Sequence, residues 1–152
     1  MMAKKALLIG VNIYQTPGND LRGCVNDVLE LGNVLIRHFD FDQRKIRVLT
    51  DGKAKTKSIR RDITNLIDGA KEGDVLLLHY SGHGSNVPDR NGDERDRADE
   101  ILCPTDLDWK DPLLDDWLRT TFDRLPADRE VPCCGVLAGL LHPPRIDQLA
   151  RW

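Results

Sequence analysis

Residues 75–87 read VLLLHYSGHGSNV. Val75–Leu78 is an apolar run of the length that fills a buried strand. The stretch then reaches His83, which has a glycine on each side. An imidazole hidden in a core has no need of Gly82 and Gly84. One presented at a strand end, with backbone crowding close to a substrate, needs both. Taken from Asp74, the stretch DVLLLHY is apolar on both faces, which predicts a central strand of a parallel sheet. His79 and Ser81 share a side of the strand line with His83, and His79 reads as a packed strand histidine.

Working outward, strands and helices alternate. KALLIGV (Lys5–Val11) is a second buried strand, and KIRVLT sets Ile46 and Val48 against charged neighbours as a half-buried one. Between them Leu21, Val25, Val28, Leu31, Leu35 and Phe39 form one helical stripe. Thr56 reads as the cap of a helix with Ile59, Ile63, Leu66, Ile67 and Ala70 inside and Gly73 closing it. Asp111 and Pro112 read as the N-cap and first turn of a helix carrying Leu113, Leu114, Trp117 and Leu118. This order predicts an α/β fold with a parallel sheet covered on both sides. Ligands of such sheets gather at the carboxyl ends of the strands, where Tyr80–Gly84 falls. After Pro126 the pattern fails. Pro132, Gly135 and Gly139 interrupt any central strand, and Pro143 and Pro144 stop its continuation. The expected organisation is one domain over 1–126 and an aberrant tail over 127–152, poorly ordered or replacing a strand.

At 152 residues the chain is long enough for one domain that buries roughly 68–70% of its unfolded surface. With 40% apolar and 31% charged residues it reads as soluble and globular. Lys4 and Lys5 precede the apolar Ala6–Val11, but that run is too short for a signal peptide, and Asn12 stands where a cleavage site should begin. Nothing approaches the ~20 apolar residues of a membrane span. Four cysteines without a secretory signal predict free thiols and a cytoplasmic location. The net charge of -3 is uneven, because Asp89–Asp116 holds 11 acidic and 4 basic side chains. The remaining surplus of positive charge is too dilute for a nucleic-acid surface. Asp89, Asn91, Asp93 and Glu100 mimic an EF-hand loop, yet Glu94 stands where that loop requires glycine. Zinc is disfavoured too, since Cys133 and Cys134 are adjacent while Cys24 and Cys103 are isolated.

An imidazole at a strand end can accept and return a proton near neutral pH, and cysteine is the most nucleophilic partner available to it. Five blocks in order, KKALLIGVNIY, LRGCVNDV, DVLLLHYSGHGSNVPDRNGDE, DEILCPTD and PLLDDWL, give the chain its resemblance to the large-subunit region of a type I metacaspase. That resemblance runs from about Lys4 to Pro126. It implies a caspase-like three-layer α/β/α sandwich and a cysteine endopeptidase that cleaves peptide bonds after Arg or Lys with a Cys-His dyad. His83 matches the catalytic histidine, and backbone N–H groups including that of Gly84 would hold the oxyanion. Cys24, Asp27 and Ser81 match the acidic pocket for the basic residue. Asp99, Asp115 and Asp116 match positions that bind Ca2+, with no organic cofactor implied. Where the family has Asp-x-Cys-His-Ser-Gly, this chain has VPCCG. Cys133 and Cys134 stand 50 and 51 residues after His83, near the ~50-residue spacing of caspases. Cys134 is the first choice of nucleophile because in the family's DCCHSG form the second cysteine attacks; Cys133 stays open. Flanked by Pro132 and Gly135, the pair is expected to be held poorly and the chain as written to cleave weakly or not at all. The alternative is an inactive caspase-like binding or regulatory domain, favoured by the missing motif.

Overall fold

The computed structural model describes residues 3–88 and 98–125. Strand β1 (Lys4–Gly10) lies between β2 (Ile46–Thr50) and β3 (Val75–Ser81), parallel to both. Leu8 stands level with Val48 on one side and His79 on the other. Both β1 and β3 pack apolar side chains on both faces, since Val75 and Leu77 lie against the cluster opposite to that of Leu76, Leu78 and Tyr80. Ala6 through Gly10 are all buried, whereas β3 alternates, with Leu76, Leu78 and Tyr80 buried and Val75, Leu77, His79 and Ser81 half-buried. Among the described strands β1 lies between β2 and β3, and β3 is parallel as DVLLLHY suggests.

Two cores follow from the pleat. Ala6 and Leu8 face helix α1 (Cys24–His38), packing with Val28, Leu35 and Phe41. Leu7, Ile9, Leu76, Leu78 and Tyr80 face the other way, toward helices α2 (Thr56–Asp68) and α3 (Asp115–Phe122). The result is three layers, helix on sheet on helices. A separate antiparallel unit, β4 (Gly84–Pro88), β5 (Ala98–Leu102) and β6 (Leu113–Leu114), follows His83 directly.

Of the stripe expected on α1, Val28 and Leu35 are buried and Val25 and Leu31 half-buried, while Leu21 precedes the helix and Phe39 lies past its end, 55% exposed. On α2 the inner face is as expected, with Ile59, Ile63, Leu66 and Ile67 buried. Burying such a side chain contributes roughly 1.5–3 kcal/mol, which outweighs the few tenths that a β-branched residue costs a helix. The cap differs. Thr56 is the first helical residue, and its N–H (2.8 Å) and hydroxyl (3.1 Å) donate to the Asp106 carboxylate, 50 residues away. The helix closes at Gly69, and Gly73 instead occupies a turn with φ +80°. Leu113 and Leu114 are also not helical. They pair with Leu102 and Ile101, so α3 begins at Asp115, while Asp111 forms a two-bond ion pair with Arg60. The tail over 127–152 lies outside the described residues.

Candidate active site

The carboxyl ends of β1 and β3 are brought together by their register, Gly10 against Ser81. A Cβ on Gly10 would stand 2.7 Å from the Cys24 carbonyl oxygen and 2.8 Å from a Val28 methyl. Only glycine lets α1 start this close to the strand end. That approach delivers two sequence-nominated residues, Cys24 and Asp27, to the third. Ser81 Oγ donates to Asp27 Oδ2 at 3.1 Å, and Cys24 sits buried one turn earlier on the same helix. Asp27 is exposed. His79 lies under this group, and its burial pushes its pKa down while the Asp27 charge opposes the change. It is the packed strand histidine that the sequence suggests.

His83 lies two residues past β3 and is 7% exposed. Its Nε2 is 2.8 Å from the carbonyl oxygen of Asn19. A carbonyl only accepts, so Nε2 carries the hydrogen of the neutral ring, and Nδ1 keeps the lone pair. Nδ1 is buried and has no hydrogen-bond partner among the described residues. A buried acceptor without a partner is costly in a purely structural histidine.

The main chain of His83 is held by two phenols. Tyr14 Oη accepts the His83 N–H at 2.7 Å, and Tyr80 Oη donates to the carbonyls of His83 (3.0 Å) and Cys103 (2.6 Å). The Tyr14 and His83 rings meet at 4.9 Å between centroids, tilted by 48°. Burial pushes the Tyr14 hydroxyl up to about 12 and the Tyr80 hydroxyl well above its ordinary value, so both remain protonated. Gly82 explains itself here. A Cβ there would stand 2.6 Å from Tyr80 Oη and 2.9 Å from Tyr14 Oη. The crowding anticipated from a substrate comes instead from two phenol oxygens of the chain itself.

Tyr14 and Asn19 belong to the loop between β1 and α1, which is tied down along its length. Asp51 Oδ1 accepts from the N–H groups of Asn12 (2.7 Å) and Ile13 (3.0 Å). Thr105 Oγ1 donates to the Ile13 carbonyl at 2.7 Å, and Gln15 N–H donates to that of Thr105 at 3.1 Å. Sequence reasoning assigned none of Tyr14, Asn19, Asp51, Tyr80 or Thr105. Tyr14 gave one signal, an aromatic residue just past a predicted strand end. Asn19 acts through its backbone and gave none.

Cys103 is buried, and desolvation pushes its thiol up to about 11, so it is no ready nucleophile. Cys133 and Cys134 lie outside the described residues. Asp99 is buried on β5, and the β5–β6 register turns Asp115 and Asp116 toward the Asp99 end of that strand. Asp115 Oδ1 accepts from the Asp116 N–H at 2.9 Å, and the Asp116 carboxylate pairs with Arg119. Among the described residues no group of three or more His, Cys, Asp or Glu side chains is arranged to hold a metal ion.

The profile described as the metacaspase, peptidase C14 domain matches residues 4–134. The chain belongs to the metacaspase family. The match reaches Cys134, beyond the blocks that carry the resemblance. Metacaspase-6 of Arabidopsis thaliana is 40% identical over 133 residues, 84% of this chain and 35% of that protein. Metacaspase-1 of Scheffersomyces stipitis is 39% identical over 119 residues, 74% of this chain and 29% of that protein. The chain thus spans about a third of the length of these relatives. A crystal structure of a Geobacter sulfurreducens protein superposes with a TM-score of 0.67 at 24% identity, covering 91% of this chain and 48% of that one. The caspase-like α/β architecture expected of a metacaspase is the architecture of the described residues.

Proposed function

We propose that this metacaspase chain serves as a cysteine endopeptidase, with His83 as its base and Cys134, or Cys133 beside it, as nucleophile. One observation carries the reading: a buried imidazole commits Nε2 to a backbone carbonyl and leaves the Nδ1 lone pair without a partner among the described residues. Nδ1 takes the thiol proton, and the thiolate attacks the peptide carbonyl carbon. Backbone N–H groups, that of Gly84 among them, steady the oxyanion. The imidazolium returns its proton to the leaving nitrogen as the C–N bond breaks, and a thioester remains. Water then gives a proton to Nδ1 and attacks the thioester. The C–S bond breaks and the cysteine regains its proton. Family membership supports a polypeptide substrate.

A basic residue before the cleaved bond is supported by Asp27, an exposed carboxylate oriented by Ser81 beside Cys24 at the neighbouring strand end. Peptides with Arg or Lys at that position should be cleaved in preference to Asp peptides, and Asp27→Asn should raise KM for the former. His83→Ala should abolish cleavage. Activity that survives that change rules the dyad out. The second reading, an inactive binding domain of the same fold, is favoured by VPCCG standing where the family has Asp-x-Cys-His-Ser-Gly.

Calcium is a separate proposal. Asp99 on β5, with Asp115 and Asp116 at the start of α3, would supply hard oxygen ligands, and a bound ion would offset the repulsion that gathering them creates. The described residues do not form a three-ligand group, and no step above passes through the ion. If it binds, titration calorimetry should register heat that Asp115→Asn with Asp116→Asn removes, and calcium should raise Tm by mass action. No heat and no thermal shift would make the three aspartates structural.

A further inference from the structure

We propose that Tyr14 is a positioning residue for His83, holding its main chain and ring so that Nε2 stays on the Asn19 carbonyl and Nδ1 stays free to take a proton. The proposal rests on the reading of His83 as the base. Tyr14 touches His83 in two independent ways, accepting the backbone N–H at 2.7 Å and packing its ring 4.9 Å from the imidazole. It also shares a loop with the carbonyl that fixes the tautomer, and its own N–H ties that loop by donating to Asp20 Oδ1 at 3.0 Å. Tyr80 differs, because its hydroxyl serves carbonyls of His83 and Cys103. A Cβ at Gly82 would stand 2.9 Å from Tyr14 Oη and closer still to the Tyr80 phenol, so a side chain there would push on both. With the Tyr14 hydroxyl removed, the buried His83 N–H loses its acceptor, and the main chain shifts to find another.

The test is Tyr14→Phe, which keeps the ring and most of its volume. The ring nitrogens of His83, assigned by comparison with His83→Gln, are followed by 15N NMR above the imidazole titration. In the unmodified chain Nδ1 should show an unprotonated shift and Nε2 a protonated one. In Tyr14→Phe the two signals should move toward each other as the tautomers mix. Where Arg-peptide cleavage is measurable, kcat should fall ~10-fold with KM within about twofold, since displacements of about 1 Å at a catalytic group cost up to ~100-fold. Asp20→Ala, which frees the Tyr14 N–H at an exposed site, should move the ring signals in the same direction by less. Ring signals that superimpose on those of the unmodified chain in both variants overturn the proposal, whatever happens to turnover. Failure of the endopeptidase reading looks different: no cleavage by the unmodified chain, with ring signals that still separate the variants.

Discussion

Asp74 shows how much one side chain can fix. Its carboxylate accepts from Lys5 Nζ at 2.8 Å and from the N–H groups of Ala3 (2.9 Å) and Lys71 (3.0 Å), tying the start of β1 to the turn that launches β3. The Lys5 hydrogen bond, aided by the two amides and opposed by desolvation, lowers its pKa to about 2. A carboxylate depressed in the folded state adds stability that is complete above its unfolded pKa of ~3.9 and is lost as pH falls toward the folded value. The window is therefore about pH 4 down to about pH 2. Asp74→Asn should lower stability at pH 7 by roughly 1.5–3 kcal/mol, the range for hydrogen bonds to a charged group, and should flatten the acid limb of the Tm–pH curve. An unchanged acid limb would mean that Asp74 is not coupled to folding. At this scale the sequence is partly legible. His83 declared itself by its glycines, yet Gly82 is crowded by two phenols, that of Tyr80 two residues away and that of Tyr14 68 residues away, and no local pattern reports the second contact.

At the scale of elements, α2 owes its start to a residue outside it. Thr56 and the apolar face Ile59, Ile63, Leu66 and Ile67 can be read from spacing, because a helix repeats over neighbours. The cap cannot, because Asp106 reaches back from the loop after β5. Replacing it with alanine should cost ~1 kcal/mol, as losses of an N-cap side chain do, and lower Tm by about 2–4 °C in a chain of this size. Thermal unfolding of Asp106→Ala checks this, and an unchanged Tm would mean that the Thr56 N–H finds another acceptor at no cost. The same principle explains the misread third helix. Asp111 and Pro112 carry every local mark of a helix start, but pairing of Leu113 and Leu114 with β5 and the Arg60–Asp111 ion pair hold that segment extended until Asp115. Long-range pairing overrode propensity.

For the whole molecule, the strand alternation and the five sequence blocks sufficed for the fold, because a parallel sheet with helices on both faces follows from buried strands separated by amphipathic helices. The site was legible on one side only. Asp27 and Ser81 meet at the carboxyl ends of β1 and β3, and His83 follows β3 by two residues, where a doubly covered sheet leaves its strand ends open to a ligand. The cradle around His83 was not legible, since it is made of a backbone carbonyl and hydroxyls supplied by distant segments. The thiol half rests on Cys133 and Cys134, inside the span that matches the metacaspase profile. The most direct measurement is therefore covalent labelling of the intact chain with a thiol-reactive arginine peptide, followed by mass spectrometry to locate the adduct. Labelling at Cys134 or Cys133 that disappears in His83→Ala is the expected result. Labelling that persists in His83→Ala, or that falls on Cys24, would contradict the assignment of His83 as the base that activates the nucleophile.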